Sequence, residues 1–158
     1  MLEVGVNSYM DLNEANKIVN SNFMSDDPMR LFWNKLSDDD KQILILSTTI
    51  DVDTNSMLYK GYKHNINQPL QFPRIDNYGN VIECPNRVKI GIVKQELRQS
   101  FLKTSDEYKL KELGIKSFAD GSGASISFDT SNTVTTKTKQ GVYKDLWFTY
   151  FSDYSLLV

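Results

Sequence analysis

Apolar residues recur at helical spacing in several stretches of the chain, separated by stretches where that period is lost. The first periodic stretch is Ala15, Ile18, Val19 and Phe23. It is preceded by "DLNEA", in which Asp11 stands at an N-cap position and Glu14 three residues on, a capping-box spacing with Asp in place of Ser or Thr. This predicts a helix that "SDDP" brings to an end. A second start lies at "LSDDDK", with Ser37 as N-cap and Asp38, Asp39 and Asp40 at the positive helix end. Ile43, Leu44, Leu46, Ser47 and Ile50 then support a helix to about Asp53. Pro85 sits where a proline opens a helix, and Val88, Ile92, Leu97 and Phe101 continue it. Gly91 lies inside that helix at a cost of about 1 kcal/mol relative to Ala, which points to close packing or a kink. Near the end, Tyr143, Leu146, Trp147, Tyr150, Phe151 and Tyr154 fall at i, i+3, i+4, i+7, i+8 and i+11, predicting a helix over 142–155 with a core-facing aromatic stripe.

The period fails over residues 54–84, a long irregular connection that includes "NQPLQFPR". Connections beyond about 12–15 residues are uncommon and are usually functional or disordered. Tyr59, Tyr62, Leu70, Phe72, Ile75 and Tyr78 make this one too apolar for disorder. Pro69 and Pro73 each remove a backbone donor and push the residue before them, Gln68 and Phe72, out of the helical region. The segment is therefore extended, and Leu70 and Phe72, two apart, point to the same side. After "KELG", alternation around Gly121 and Gly123, with Ile126 and Phe128 on one side, predicts a β-hairpin within 112–128. Residues 129–141 hold five threonines and one aliphatic residue, Val134, and read as an exposed loop. The pattern as a whole predicts one mainly α domain over 1–158: a small helical bundle, its core at about 8–104, with a β-hairpin and long extended loops.

Composition narrows the function classes. No apolar run approaches the roughly 20 residues of a membrane span, and the first residues lack the basic and apolar regions of a signal peptide. A formal charge of −2 argues against tight electrostatic binding of nucleic acid, which needs clustered Lys and Arg. Candidate chemistry is sparse. His64 has no Cys or second His near it in sequence, Asp38–Asp40 are explained by the helix start, and "DVDTN" lacks the Gly and distal Glu of a calcium loop. "DGSG" at 120–123 has no following Lys-Ser or Lys-Thr, so it reads as a turn and not a phosphate cradle. Cys84 precedes Pro85 as a small residue before a helix. The expectation is no catalytic residues, no metal, no cofactor and no enzyme.

The order of motifs is more specific than the composition. "NSYMDLNEA", Trp33 with "LSDDDKQ", "LSTTID", "YKG", "QPLQFPR" with Gly79, Pro85 opening a helix, and "LGIKS" together resemble the small head–tail adaptor proteins of tailed bacteriophages. These connector or head-completion proteins include some classed as DnaT-like single-stranded DNA-binding proteins. The resemblance covers roughly residues 5–128, and "QPLQFPR" is its most specific part. The stretch "SGASISFDTSNTVTTKTKQG", longer and more Thr-rich than the pattern, and the strongly aromatic end depart from it.

The resemblance implies a structural virion protein of the phage neck, assembled in the host cytoplasm. About twelve copies would close into a ring on the portal protein, with a tail completion or stopper protein joining below. DNA would pass through the lumen without sequence-specific binding. In that setting Pro69, Leu70, Phe72, Pro73 and Arg74 form a docking segment, packed on the chain's own helices or on a neighbouring subunit, with Arg74 free to pair with an acidic partner. Phe148, off the aromatic stripe, and Leu156, Leu157 and Val158 are the expected portal or partner contacts. The alternative is a single-stranded DNA-binding replication accessory protein, in which Lys60, Lys63, Arg74, Arg87 and Lys89 would converge on a groove beside Tyr59 and Tyr62.

Overall fold

Three of the expected helix starts are built as the sequence implies. In a computed structural model, which describes residues 1–54, 59–104, 117–119, 125–127 and 150, the Asp11 carboxylate accepts the Glu14 N–H at 2.7 Å and opens α1, Leu12–Asn22. Glu14 does not complete a capping box. Its carboxylate turns away to pair with Lys89 at 2.8 Å, which ties α1 to a later helix. Ser37 Oγ accepts the Asp40 N–H at 3.1 Å and opens α3, Asp38–Thr54. The Pro85 carbonyl accepts the Val88 and Lys89 N–H groups and opens α4, Asn86–Thr104.

"SDDP" is a beginning as well as an end. α1 stops at Asn22, where the Phe23 N–H bonds the Val19 carbonyl. Asp27 then accepts the Met29 N–H at 2.8 Å, and Pro28 takes the first position of α2, Pro28–Lys35. This helix escapes the pattern because it is eight residues long and buries one of them, Trp33. Periodicity needs more turns than that to show.

Residues 54–84 are likewise less irregular than expected. Strands β1 (Tyr62–Lys63), β2 (Arg74–Ile75) and β3 (Val81–Ile82) form an antiparallel sheet in the order β1-β2-β3. Each strand has two residues, too short for an alternating run to be visible. The turn between β2 and β3 is held by Asp76, whose carboxylate accepts the Tyr78 and Asn80 N–H groups, both at 2.8 Å. Gly79 completes it at φ +87°. The expected hairpin is present as β4 (Ser117–Ala119) paired antiparallel with β5 (Ser125–Ser127), Phe118 opposite Ile126. The loop over 129–141 and the helix over 142–155 lie outside the described residues, Tyr150 excepted.

The fold is mainly α. α4 is its centre and packs against α1, α2 and α3. Its buried residues, among them Val88, Gly91, Ile92, Val93 and Leu97, lie all around the helix because it has neighbours on several sides. Gly91 is buried among them, in keeping with close packing. α3 is present to the expected length, but it turns a different face inward. Ile45, Thr48, Thr49 and Val52 are buried, while Ile43 is 62% and Ile50 50% exposed. Two polar residues on the inner face are explained by their partners. The Thr49 hydroxyl donates to the Ile45 carbonyl, and the Thr48 hydroxyl donates to the Glu96 carboxylate of α4.

Ser100 donates to the same Glu96 carboxylate. Burial raises the Glu96 pKa above the ordinary carboxylate value, and these two hydroxyl bonds offset it only in part. The sign follows. The neutral acid is favoured in the folded state, so this group's stabilising contribution is present below the ordinary Glu pKa of about 4.3 and is lost as pH rises through the raised folded value. Glu96→Gln is therefore expected to match the wild type in urea unfolding near pH 4 and to be more stable at pH 7. A variant less stable at both pH values would contradict this reading of the α3–α4 interface.

Candidate functional site

The segment quoted above as "QPLQFPR" packs as an extended chain with one side turned in. Leu70, Phe72 and Arg74 are 6%, 3% and 7% exposed, while Pro69 is exposed and Gln71 and Pro73 are half-buried. The Phe72–Pro73 peptide is cis. The Phe72 ring meets the Tyr9 and Tyr59 rings edge-on, with centroids 5.9 and 5.1 Å away and interplanar angles of 76° and 73°. Such geometry sets the positive edge of one ring against the negative face of another. Phe72 thus joins the segment leading into α1 to the segment leading into β1, and the receiving surface is this chain's own.

Polar groups fix the same joint from behind. Tyr9 donates its hydroxyl to the Asp53 carboxylate near the end of α3. The Gln71 N–H points at that carboxylate, 3.0 and 3.1 Å from its two oxygens, and lies 3.0 Å from the Tyr9 oxygen. Asp53 is 6% exposed. Burial raises its pKa, while the bonds from Tyr9 and Gln71 and the positive charges of Lys63 and Arg74 work against the shift. Burial, then Asp53 itself, pushes the Tyr9 phenol above its ordinary range, so the proton stays on Tyr9 and the hydroxyl remains a donor.

Arg74 organises the other side. Its Nε donates to the Lys60 carbonyl at 2.8 Å, and its Nη2 donates to the Tyr59 and Gly61 carbonyls at 3.1 and 2.5 Å. Nη1 reaches the Gln71 side-chain Oε1 at 2.9 Å. The guanidinium also lies 5.7 Å from the Tyr59 ring centre. An acidic partner was expected for Arg74; the hydrogen-bonding partners found are carbonyls, with the Asp53 charge acting from nearby. The reason is local. The turn over Tyr59, Lys60 and Gly61 directs its carbonyls to one point, and a guanidinium fork satisfies several at once. Gly61 makes the approach possible. Its φ is +74°, and a Cβ on it would run into the Ile75 carbonyl.

Beside this joint lies a pocket of about 340 Å³, with Phe72, Tyr78 and Ile82 in its lining, Lys60 and Arg74 as its cations and Asp76 as its anion. Cys84, half-buried, has its thiol pushed up to about 12, mainly by burial, which keeps it protonated and unreactive at neutral pH. His64 is exposed, and among the described residues no cluster of His, Cys, Asp or Glu is arranged to hold a metal. Of the aromatic stripe, Tyr150 lies against the core, where its hydroxyl accepts from Lys94 of α4 at 2.7 Å. Tyr143, Leu146, Trp147, Phe151 and Tyr154, with Phe148, Leu156, Leu157 and Val158, lie outside the described residues. Sequence reasoning missed Tyr9, Asp53 and Tyr59 as parts of this joint. Their only signal was position: Tyr9 and Tyr59 fall inside the quoted motifs "NSYMDLNEA" and "YKG", and Asp53 lies two residues past "LSTTID".

Two substitutions probe the joint. Arg74→Lys keeps the charge but loses the fork, and leaving buried carbonyls short of donors is expected to cost about 1–3 kcal/mol in chemical unfolding. Gly61→Ala combines a positive φ with a backbone collision and is expected to cost at least about 1 kcal/mol. Wild-type stability for both would contradict the geometry described. No protein-family model, curated protein or solved structure matches this chain.

Proposed function

We propose that this chain is a structural part of a tailed-phage neck, an adaptor that joins portal to tail and lets DNA pass. The observation that carries the reading is where the resembling motifs meet. Tyr9 of "NSYMDLNEA", Tyr59 and Gly61 of "YKG", and Gln71, Phe72 and Arg74 of "QPLQFPR" are far apart in sequence yet form one buried joint. A motif set that closes on itself supports a common architectural purpose. The polar groups of the joint are used to hold backbone in place, as suits a part whose task is shape.

In this reading copies of the chain form a ring on the portal, and a tail completion protein docks below. The formal charge of −2 suits a conduit, because a basic lumen would add phosphate contacts that retard DNA. The single-stranded DNA reading draws less support. Tyr59 is 3% exposed and cannot stack on a base, Arg74 is spent on carbonyls, and Lys89 is paired with Glu14.

The test is sedimentation of the chain with purified portal rings and, in parallel, with labelled oligothymidine. Co-sedimentation with portal and no DNA shift is the expected result. Salt-sensitive DNA binding without portal association would overturn the proposal in favour of the replication role.

A further inference from the structure

Two exposed surfaces of the molecule are unlike each other and chemically matched. The first is the turn between β2 and β3. Tyr78 at its tip is 91% exposed, yet its backbone is fixed by the Asp76 carboxylate and Gly79. Beside it, Tyr62, Ile75 and Val81 are paired across the three strands and so share the sheet's outer face, with Tyr62 74% and Val81 50% exposed. Lys60 lines the same pocket as Tyr78 and has no ion-pair partner among the described residues. Asp76 and Arg74 line the pocket too, with opposite charges, the Asp76 carboxylate held by the Tyr78 and Asn80 N–H groups and the Asn80 side chain, so Lys60 sets the net sign.

The second surface is a groove of about 310 Å³ between the N-terminal residues and α3. Leu2, Ile43 and Leu46 make its apolar floor, and Asp39 and Gln42 its polar side. The Gln42 carbonyl already accepts the Leu2 N–H, which leaves its NH2 group as a donor. An apolar floor with an acceptor and a donor at one side is the chemistry that receives a tyrosine, apolar in body and polar at its tip.

We propose that Tyr78 of one copy of this chain docks in the Leu2–Ile43–Leu46 groove of the next, with Lys60 facing Asp39. Charge decides the pairing. Turn against turn sets Lys60 opposite Lys60, and groove against groove sets Asp39 opposite Asp39, Asp38 being paired with Lys41, whereas turn against groove pairs opposite signs. An interface between two different surfaces is head-to-tail, the type that closes into a ring or runs on as a filament. The inference deepens the ring reading above and rests on it for the closed form.

Disulfide trapping tests it, with all chains in a Cys84→Ala background. Asn77→Cys and Ser47→Cys, exposed neighbours of Tyr78 and of the Ile43–Leu46 floor that leave both intact, placed in one chain are expected to give an oxidation ladder of dimer, trimer and higher species. The two single variants mixed are expected to stop at dimer, and each alone to stay monomeric. Asp39→Lys added to the double variant is expected to reduce the ladder at least tenfold. Dimers from either single variant alone, no ladder from the double, or a ladder indifferent to Asp39→Lys would each overturn the proposal. Portal co-sedimentation of the unmodified chain is read separately, so loss of this interface and loss of the neck reading are distinguishable.

Discussion

The carbonyl groups of Tyr59, Lys60 and Gly61 must find donors inside the protein, and Arg74 is the residue that supplies them. Irregular backbone cannot be buried unless its polar groups are satisfied, and two-residue strands satisfy few. One guanidinium does for this turn what a ladder does for a long strand. Once Arg74 is in place, the rest of its extended segment is committed. Phe72 is delivered between Tyr9 and Tyr59, and the Gln71 N–H is delivered to Asp53. The helices frame it, since Asp53 belongs to α3 and Tyr9 lies in the segment that leads into the Asp11 cap of α1.

What could be read from the sequence follows the range of the interaction responsible. Asp11, Ser37 and Pro85 act on residues three or four positions away, and the helices they open are where the pattern puts them. α2 was hidden because Asp27 and Pro28 look like a stop when the eight residues after them show no repeat. The inner face of α3 was misjudged for a different reason. Thr48 and Thr49 count as polar, but one is satisfied by Glu96 and the other by its own helix, so both are buried while Ile43 is left outside. The partners of Arg74 lie 13–15 residues away in sequence, except for Gln71, and nothing local announces that a turn will present its carbonyls. The inward turn of Leu70 and Phe72 was legible, because it depends only on alternation along an extended chain.

A joint of this kind also explains how the remaining surface is arranged. Tyr9, Asp53 and Arg74, the polar side chains nearest Phe72, are engaged in holding the chain, whereas Tyr78 sits exposed on a braced turn and Ile43 on a helix. Exposed apolar side chains on fixed backbone lose little conformational freedom on docking, which favours assembly. The architecture thus separates a buried part that sets shape from an outer part available for contact.

The central claim is that the joint is complete in the isolated chain and is not made by a partner. Hydrogen exchange of the free protein tests it most directly, followed amide by amide, alone and with portal rings. The account predicts that the Gln71 and Phe72 amides are protected in the free chain and unchanged on adding portal. Free exchange at both amides until portal is present would show that the segment folds on its partner, and the account would be wrong.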